Sequence, residues 1–264
     1  MVPRSPSVPG TARSRSSTLN VRATGPVIAL PSGTFGKLES LSRSIVGTDA
    51  SRQRAPVGSP SISTVAAPQS RGQRTIRRLL DAAMRTYERS GPAGFTMTAV
   101  TQASGVSVGS LYHHFGSFDG LAATLYAECM DDLLAAVVAA LGRTRTARTG
   151  IAAAVTGYLD WAGANRARAH LIHASAYAAF LPEHAARIAA VKAPRLAAVD
   201  AWLRPYVAAG QIVDLPVPLL EMLVIGPAAE ATRRWLAGAP GVDLDDARRV
   251  LPDRVWQSVR GPAG

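Results

Sequence analysis

Seven residues able to hold a hydrogen bond to a phosphate or a base crowd into one short stretch: Thr96, Thr98, Ser107, Ser110, Tyr112, His113 and His114. Hydroxyls and ring nitrogens of this kind donate to phosphate oxygens and read base edges. Val108 and Gly109 sit among them, and Arg71, Arg74, Arg77 and Arg78 lie just upstream. The set is suited to binding an anionic polymer rather than to breaking bonds. No Ser-His-Asp spacing and no phosphate-cradling glycine loop stands out, and the clustered titratable residues that an enzyme would need are sparse over 120–260. His170 and His173 are three apart on a helical stretch, but a metal needs a third ligand and second-shell support, and neither is evident. No metal and no cofactor are therefore expected. Cys129 is the single cysteine, which precludes an internal disulfide and fits a reducing cytoplasm. With no basic partner nearby, it reads as a small buried residue rather than a redox sensor.

The stretch 96–118 must fold so as to present those groups. Thr96 is placed to cap a short helix whose Met97, Val100, Thr101 and Ser104 share one side. Gly105 ends it, because glycine accepts a left-handed backbone without a steric penalty. Val106 plugs inward, and Ser107 caps a second helix over 108–115. Leu111 and Phe115 face in, which leaves Ser110, Tyr112 and His113 outside with Val108 and Gly109 at the tip. His114 packs toward the next helix within reach of phosphate. A helix, a glycine-centred turn and a second helix make the layout of a DNA-binding helix-turn-helix.

The segment GVSVGSLYHHFGSFDGL (105–121) resembles the signature of the tetracycline-repressor family of bacterial regulators, whose usual pattern is GVSxGxLYxHFxxKxxL. Gly105, Val106, Ser107, Gly109, Leu111, Tyr112, His114, Phe115 and Leu121 match, nine positions in seventeen. The resemblance implies an all-α chain that binds double-stranded DNA as a homodimer and answers to a small-molecule effector. Three departures stand out. Val108 replaces a residue that is often Lys or polar, Gly116 a common polar or basic one, and Phe118 a usual Lys. Two or three phosphate contacts are then missing, although Val108 can meet a thymine methyl instead.

The 264 residues carry a formal net charge of +11 with 47% apolar residues. Aromatics are few and alanine is abundant, which favours helix. Residues 1–70 hold eight Lys/Arg against two Asp/Glu, and 71–118 hold six Arg against Asp81 and Glu88. The first seventy residues are rich in Ser, Pro, Arg and Gly, so disorder is expected. They read as a basic arm with nonspecific DNA affinity, an inert tail, or a start-site artefact with translation beginning nearer residue 65. The last two are favoured, because the family's first helix normally lies near its N-terminus. No run of about 18 apolar residues appears, so no membrane span is expected.

The remaining elements follow in order. A helix is expected over 73–89, with a break at Ser90–Gly91–Pro92. A long helix follows over 118–141, capped by Ser117, then an Arg/Thr loop over 142–149. Helices over 150–164 and 166–180 come next. Another begins at Pro182, with a kink or break at Pro194, and ends before Gly210. The last two span 216–237 and 244–259. The division is 1–70 extension, 71–118 helix-turn-helix, 119–260 helical effector and dimerisation domain. Tyr126, Cys129, Trp161, His173, Tyr177, Phe180 and Met222 could line a ligand cavity, since helical bundles hold such pockets. The stretch VIGPAAEATRRWLAG resembles the family's C-terminal part, where two helices pair with their two-fold mates. That implies an interface from Leu219, Leu220, Met222, Leu223, Ala229, Trp235 and Leu236. Two rivals stay open: a helical-bundle enzyme or carrier, and a dimer that has lost DNA binding.

Overall fold

The structure is a computed structural model that describes residues 71–174 and 181–263. The expectations for 1–70, for Tyr177 and for Phe180 lie outside the described residues. Among the described residues ten helices succeed one another: α1 (Arg71–Gly94), α2 (Met97–Ser104), α3 (Val108–Phe115), α4 (Phe118–Leu141), α5 (Ala147–Ala164), α6 (Arg166–His173), α7 (Leu181–Ala208), α8 (Val217–Val224), α9 (Gly226–Leu236) and α10 (Leu244–Val259). Among the described residues, strand pairing is confined to an isolated bridge between Ile212 and Arg260.

Local signals fix several ends. α1 kinks at Gly91, whose φ of 61° is closed to most side chains, and Pro92 follows it. Thr96, Ser107, Ser117 and Thr146 each accept a backbone N–H in the first turn of the helix they precede. Asp243 does the same for α10. These caps satisfy donors that would otherwise have no partner in the helix.

Elsewhere the elements differ from the sequence reading. The Arg/Thr loop is shorter, because Thr146 starts α5 at Ala147. α6 ends at His173, not at residue 180. α7 runs unbroken from Leu181 to Ala208 with Pro194 and Pro205 inside it. The expected helix over 216–237 is two, α8 and α9, divided at Ile225. Pro227, at the start of α9, has no N–H to carry the hydrogen-bond ladder across that point.

Two apolar clusters run through the helices. The first joins Leu79, Leu80, Val100, Val106, Leu111, Phe115 and Leu121 from α1 to α4, and reaches Leu171 of α6 and Ile188 of α7. The second gathers the far half of α4 with α5, α8, α9 and α10 around Val155, Leu159, Ile212 and Val259. α4 contributes to both, with Cys129 in the first and Leu133 in the second. Charge reinforces the packing of α4. Glu128 accepts from Arg77 of α1 at 3.3 Å, Asp132 pairs with Arg168 of α6, and Asp131 accepts both arms of Arg195 of α7 at 2.9 and 3.1 Å.

Candidate DNA-binding interface

The turn between α2 and α3 is built from a few short-range bonds. Gly105 takes φ 63° and donates to the Thr101 carbonyl at 3.0 Å. The Ser104 hydroxyl accepts from the Val106 amide at 3.2 Å and donates to the Thr101 carbonyl at 3.1 Å. Arg78 of α1 reaches over and donates to the Ser104 carbonyl at 2.7 Å. A cation at the last carbonyls of a helix satisfies an orphan acceptor and complements the helix dipole. Sequence alone assigned Arg78 to a basic flank. Its role in bracing the turn depends on a neighbour 26 residues away, which no local pattern announces.

α3 then divides into two faces. Leu111 and Phe115 are buried, while Val108, Gly109, Tyr112 and His113 are exposed and Ser110 and His114 are half-buried. The His113 and His114 rings meet edge to face at 5.0 Å. Ser107 accepts from the Ser110 amide at 3.2 Å, so its oxygen is already engaged as a cap. Thr96 and Thr98 are exposed at the start of α2. Arg71 and Arg74 stand two turns and one turn before Arg78 on the same side of α1, exposed and with no ion pair among the described residues. Arg77 differs, since Glu128 and Asp81 lie within 3.3 and 3.9 Å of it.

Phe118 stands where the family's pattern has Lys, and the structure shows what it does instead. Its ring lies 5.0 Å from that of Phe95, against the first apolar cluster. A core contact thus occupies the place of a phosphate contact.

Five of the residues named for a ligand cavity are described, and they fall in different surroundings. Tyr126 and Cys129 are buried in the first cluster, Trp161 in the second. Burial pushes both the Tyr126 hydroxyl and the Cys129 thiol up to about 12, with Arg168 opposing it at the thiol. Such a thiol is inert at neutral pH. His173 is half-buried, and its Nε2 lies 3.0 Å from the Tyr158 hydroxyl. Its neighbour His170 has Nδ1 2.7 Å from the Tyr87 hydroxyl of α1. Met222 is 61% exposed and cannot line an internal cavity. Trp161 instead borders an open groove of about 600 Å³ between α4 and α5, walled by Ala136, Ala140, Ala153 and Gly157. No cluster of three metal-ligating side chains occurs among the described residues.

Of the residues named for a dimer face, Leu219, Met222 and Leu223 are exposed on α8. Ala229, Trp235 and Leu236 are half-buried against the chain's own second cluster, and the Arg166 guanidinium sits 4.2 Å above the Trp235 ring. Leu220 is buried inside the chain and is removed from the set. It points inward with Val224, one turn on.

An all-helical chain with a capped, glycine-turned helix pair and an uncovered second helix defines a helix-turn-helix protein. Residues 79–125 match the model for bacterial regulatory proteins of the tetR family. The regulator BetI 1 of Chromohalobacter salexigens is 28% identical over 194 residues, 71% of this chain and 93% of its own length. BetI of Paraburkholderia phymatum is 36% identical over 89 residues, which are 31% of this chain and less than half (45%) of that relative. The fold is similar to a TetR family transcription regulator from Marinobacter aquaeolei VT8 (TM-score 0.55, 21% identity, covering 71% of this chain and 96% of that one). It is also similar to FadR from Bacillus subtilis (TM-score 0.54, 16% identity, covering 68% and 96%). Residues 79–125 thus carry a tetR-family DNA-binding segment, and the matches support a DNA-binding transcriptional regulator. No described helix is long and apolar enough to cross a membrane.

Proposed function

We propose that this regulator binds a two-fold operator as a homodimer in the cytoplasm and represses transcription until a small molecule enters its helical bundle. Residues 71–118 serve as the DNA-binding unit and 119–260 as the effector and dimerisation unit. The observation that carries the reading is the split of α3. Two large residues anchor it to the core, while Tyr112, His113 and the tip at Val108 are left uncovered. A two-fold protein places two such helices about one DNA turn apart, in successive major grooves. Thr96, Thr98, Ser107, Ser110 and His114 supply backbone contacts, and Arg71 and Arg74 add charge to the same surface.

The exposed α8 residues Leu219, Met222 and Leu223 are the proposed partner face. Among the fold neighbours, FadR from Bacillus subtilis is in complex with stearoyl-CoA. A ligand between the helices is the corresponding proposal here, with Tyr126, Cys129 and His173 nearest to it. The ligand regulates only if it binds one spacing of the two DNA-binding units better than the other. The absence of Lys and Arg from α3 favours a second reading, a dimer with weakened DNA binding.

One experiment separates them: gel shift of full-length protein on the DNA upstream of its own gene, at two salt concentrations. A shift that weakens with salt is expected. Tyr112→Ala combined with His113→Ala should abolish it and leave the helical circular dichroism unchanged. Unaltered affinity in that double variant would reject the assignment of this face.

A further inference from the structure

We infer that Val108 reads a thymine 5-methyl group in the major groove, so that part of the operator's sequence is set by an apolar contact. The inference rests on the DNA-binding reading above and adds a base identity to it.

The side-chain chemistry of α3 is unusually restricted. Its sequence, VGSLYHHF, contains no Arg, Lys, Asn, Gln, Asp or Glu. Two-pronged recognition of guanine uses Arg or Lys, that of adenine Asn or Gln, and cytosine's amino group is read by Asp or Glu. None of these is available from this helix. Arg71 and Arg74 can hold phosphates, but phosphate contacts set position and carry no sequence.

What the helix does offer at its tip is an isopropyl group. Val108 is the first residue of α3, 41% exposed, one turn before Tyr112, which is 47% exposed on the same side. Gly109 follows it, and a Cβ built there would meet nothing within 4 Å, so nothing of the protein crowds the tip.

An isopropyl group pressed onto a base edge has few favourable partners. Against the N7, O6 or amino groups of a purine it strips water and returns no hydrogen bond, which is costly. Against thymine it meets the one methyl group the major groove displays and buries apolar surface on both sides. Against cytosine the same position lacks that methyl, and the contact is lost. Ser110, Tyr112 and His113 remain to hydrogen-bond beside it.

The test starts by enriching duplexes from a randomised pool with the full-length protein. The strongest binder is then remade with deoxyuridine replacing one thymidine at a time, which deletes a single methyl. Wild-type protein should lose affinity about fourfold per half-site at one symmetric position. Val108→Ala should bind the unmodified duplex about as weakly as wild type binds the uridine duplex, and should not distinguish the two. Val108→Thr, which keeps one γ-methyl, should retain part of the preference. Because Val108 is exposed, all three proteins should melt alike. A wild type indifferent to every substitution, or a Val108→Ala variant with the full preference, overturns the assignment. A pool that yields no enriched duplex overturns the DNA-binding reading itself, and the role of Val108 with it.

Discussion

Two tyrosine-histidine bonds tie α6 to its neighbours, and one of them has a consequence for pH. The Tyr87 hydroxyl of α1 meets His170 at 2.7 Å, and the Tyr158 hydroxyl of α5 meets His173 at 3.0 Å. Burial lowers the His173 pKa from 6.5 to about 4, with Arg233 and His170 adding to the fall and Glu230 opposing it. The folded state therefore holds His173 neutral where the unfolded chain would protonate it. A group depressed in this way contributes stability above its unfolded pKa, and that contribution drains as pH falls from about 6.5 to about 4. The melting temperature of the wild type should drop across that window, by on the order of 2 kcal/mol in stability. His173→Gln keeps a partner for the Tyr158 hydroxyl but does not titrate. Its melting temperature, followed from neutral pH to pH ~4, should decline less steeply. Parallel curves for the two proteins would show that His173 is not the group responsible.

At the scale of elements, the junction of α3 with α4 decides how the outward face is held. Gly120 is buried in the first turn of α4, and a Cβ there would lie 2.0 Å from the Phe115 carbonyl oxygen. That atom is backbone and cannot swing aside, so Gly120→Ala must separate α3 from α4. The cost should be about 1–3 kcal/mol, as for other overpacked sites. A matching loss of operator affinity should follow, read by urea unfolding beside gel shift. Full stability and full affinity in that variant would mean that the close approach is unimportant.

The same region was the most legible part of the sequence. Thr96, Gly105, Ser107 and Ser117 act within four residues of themselves, so α2, α3 and α4 end where their caps require. Further along, local rules gave less. Thr146 sits in an Arg/Thr stretch that reads as loop although it caps α5, and Pro194, which implies a kink or a break, lies inside a helix that continues. The candidate cavity was the least legible. Apolar residues at helical spacing do not reveal which neighbouring helix they meet, and so Tyr126, Trp161 and Met222 fall into three different surroundings.

For the whole molecule the question is what covers α8. Its eight residues are apolar nearly all round: Leu220 and Val224 face the second cluster, while Val217, Leu219, Met222 and Leu223 are exposed. A short helix of that composition is stable when both sides are covered. A second copy of the chain would cover the outer side, and the same contact would bring two α3 helices to one operator. Met222→Glu sets a charge in the middle of that side, with little packing inside the chain to lose, because Met222 is 61% exposed. The variant should therefore keep its melting temperature. In sedimentation equilibrium its dimer should dissociate about tenfold or more readily than that of the wild type. Operator affinity should fall with it, since each half-site would then be bound alone, without the gain in effective concentration that joins them. A wild type that sediments as a monomer at micromolar concentration, or a Met222→Glu variant that stays fully dimeric, would assign the exposed side of α8 to some other partner.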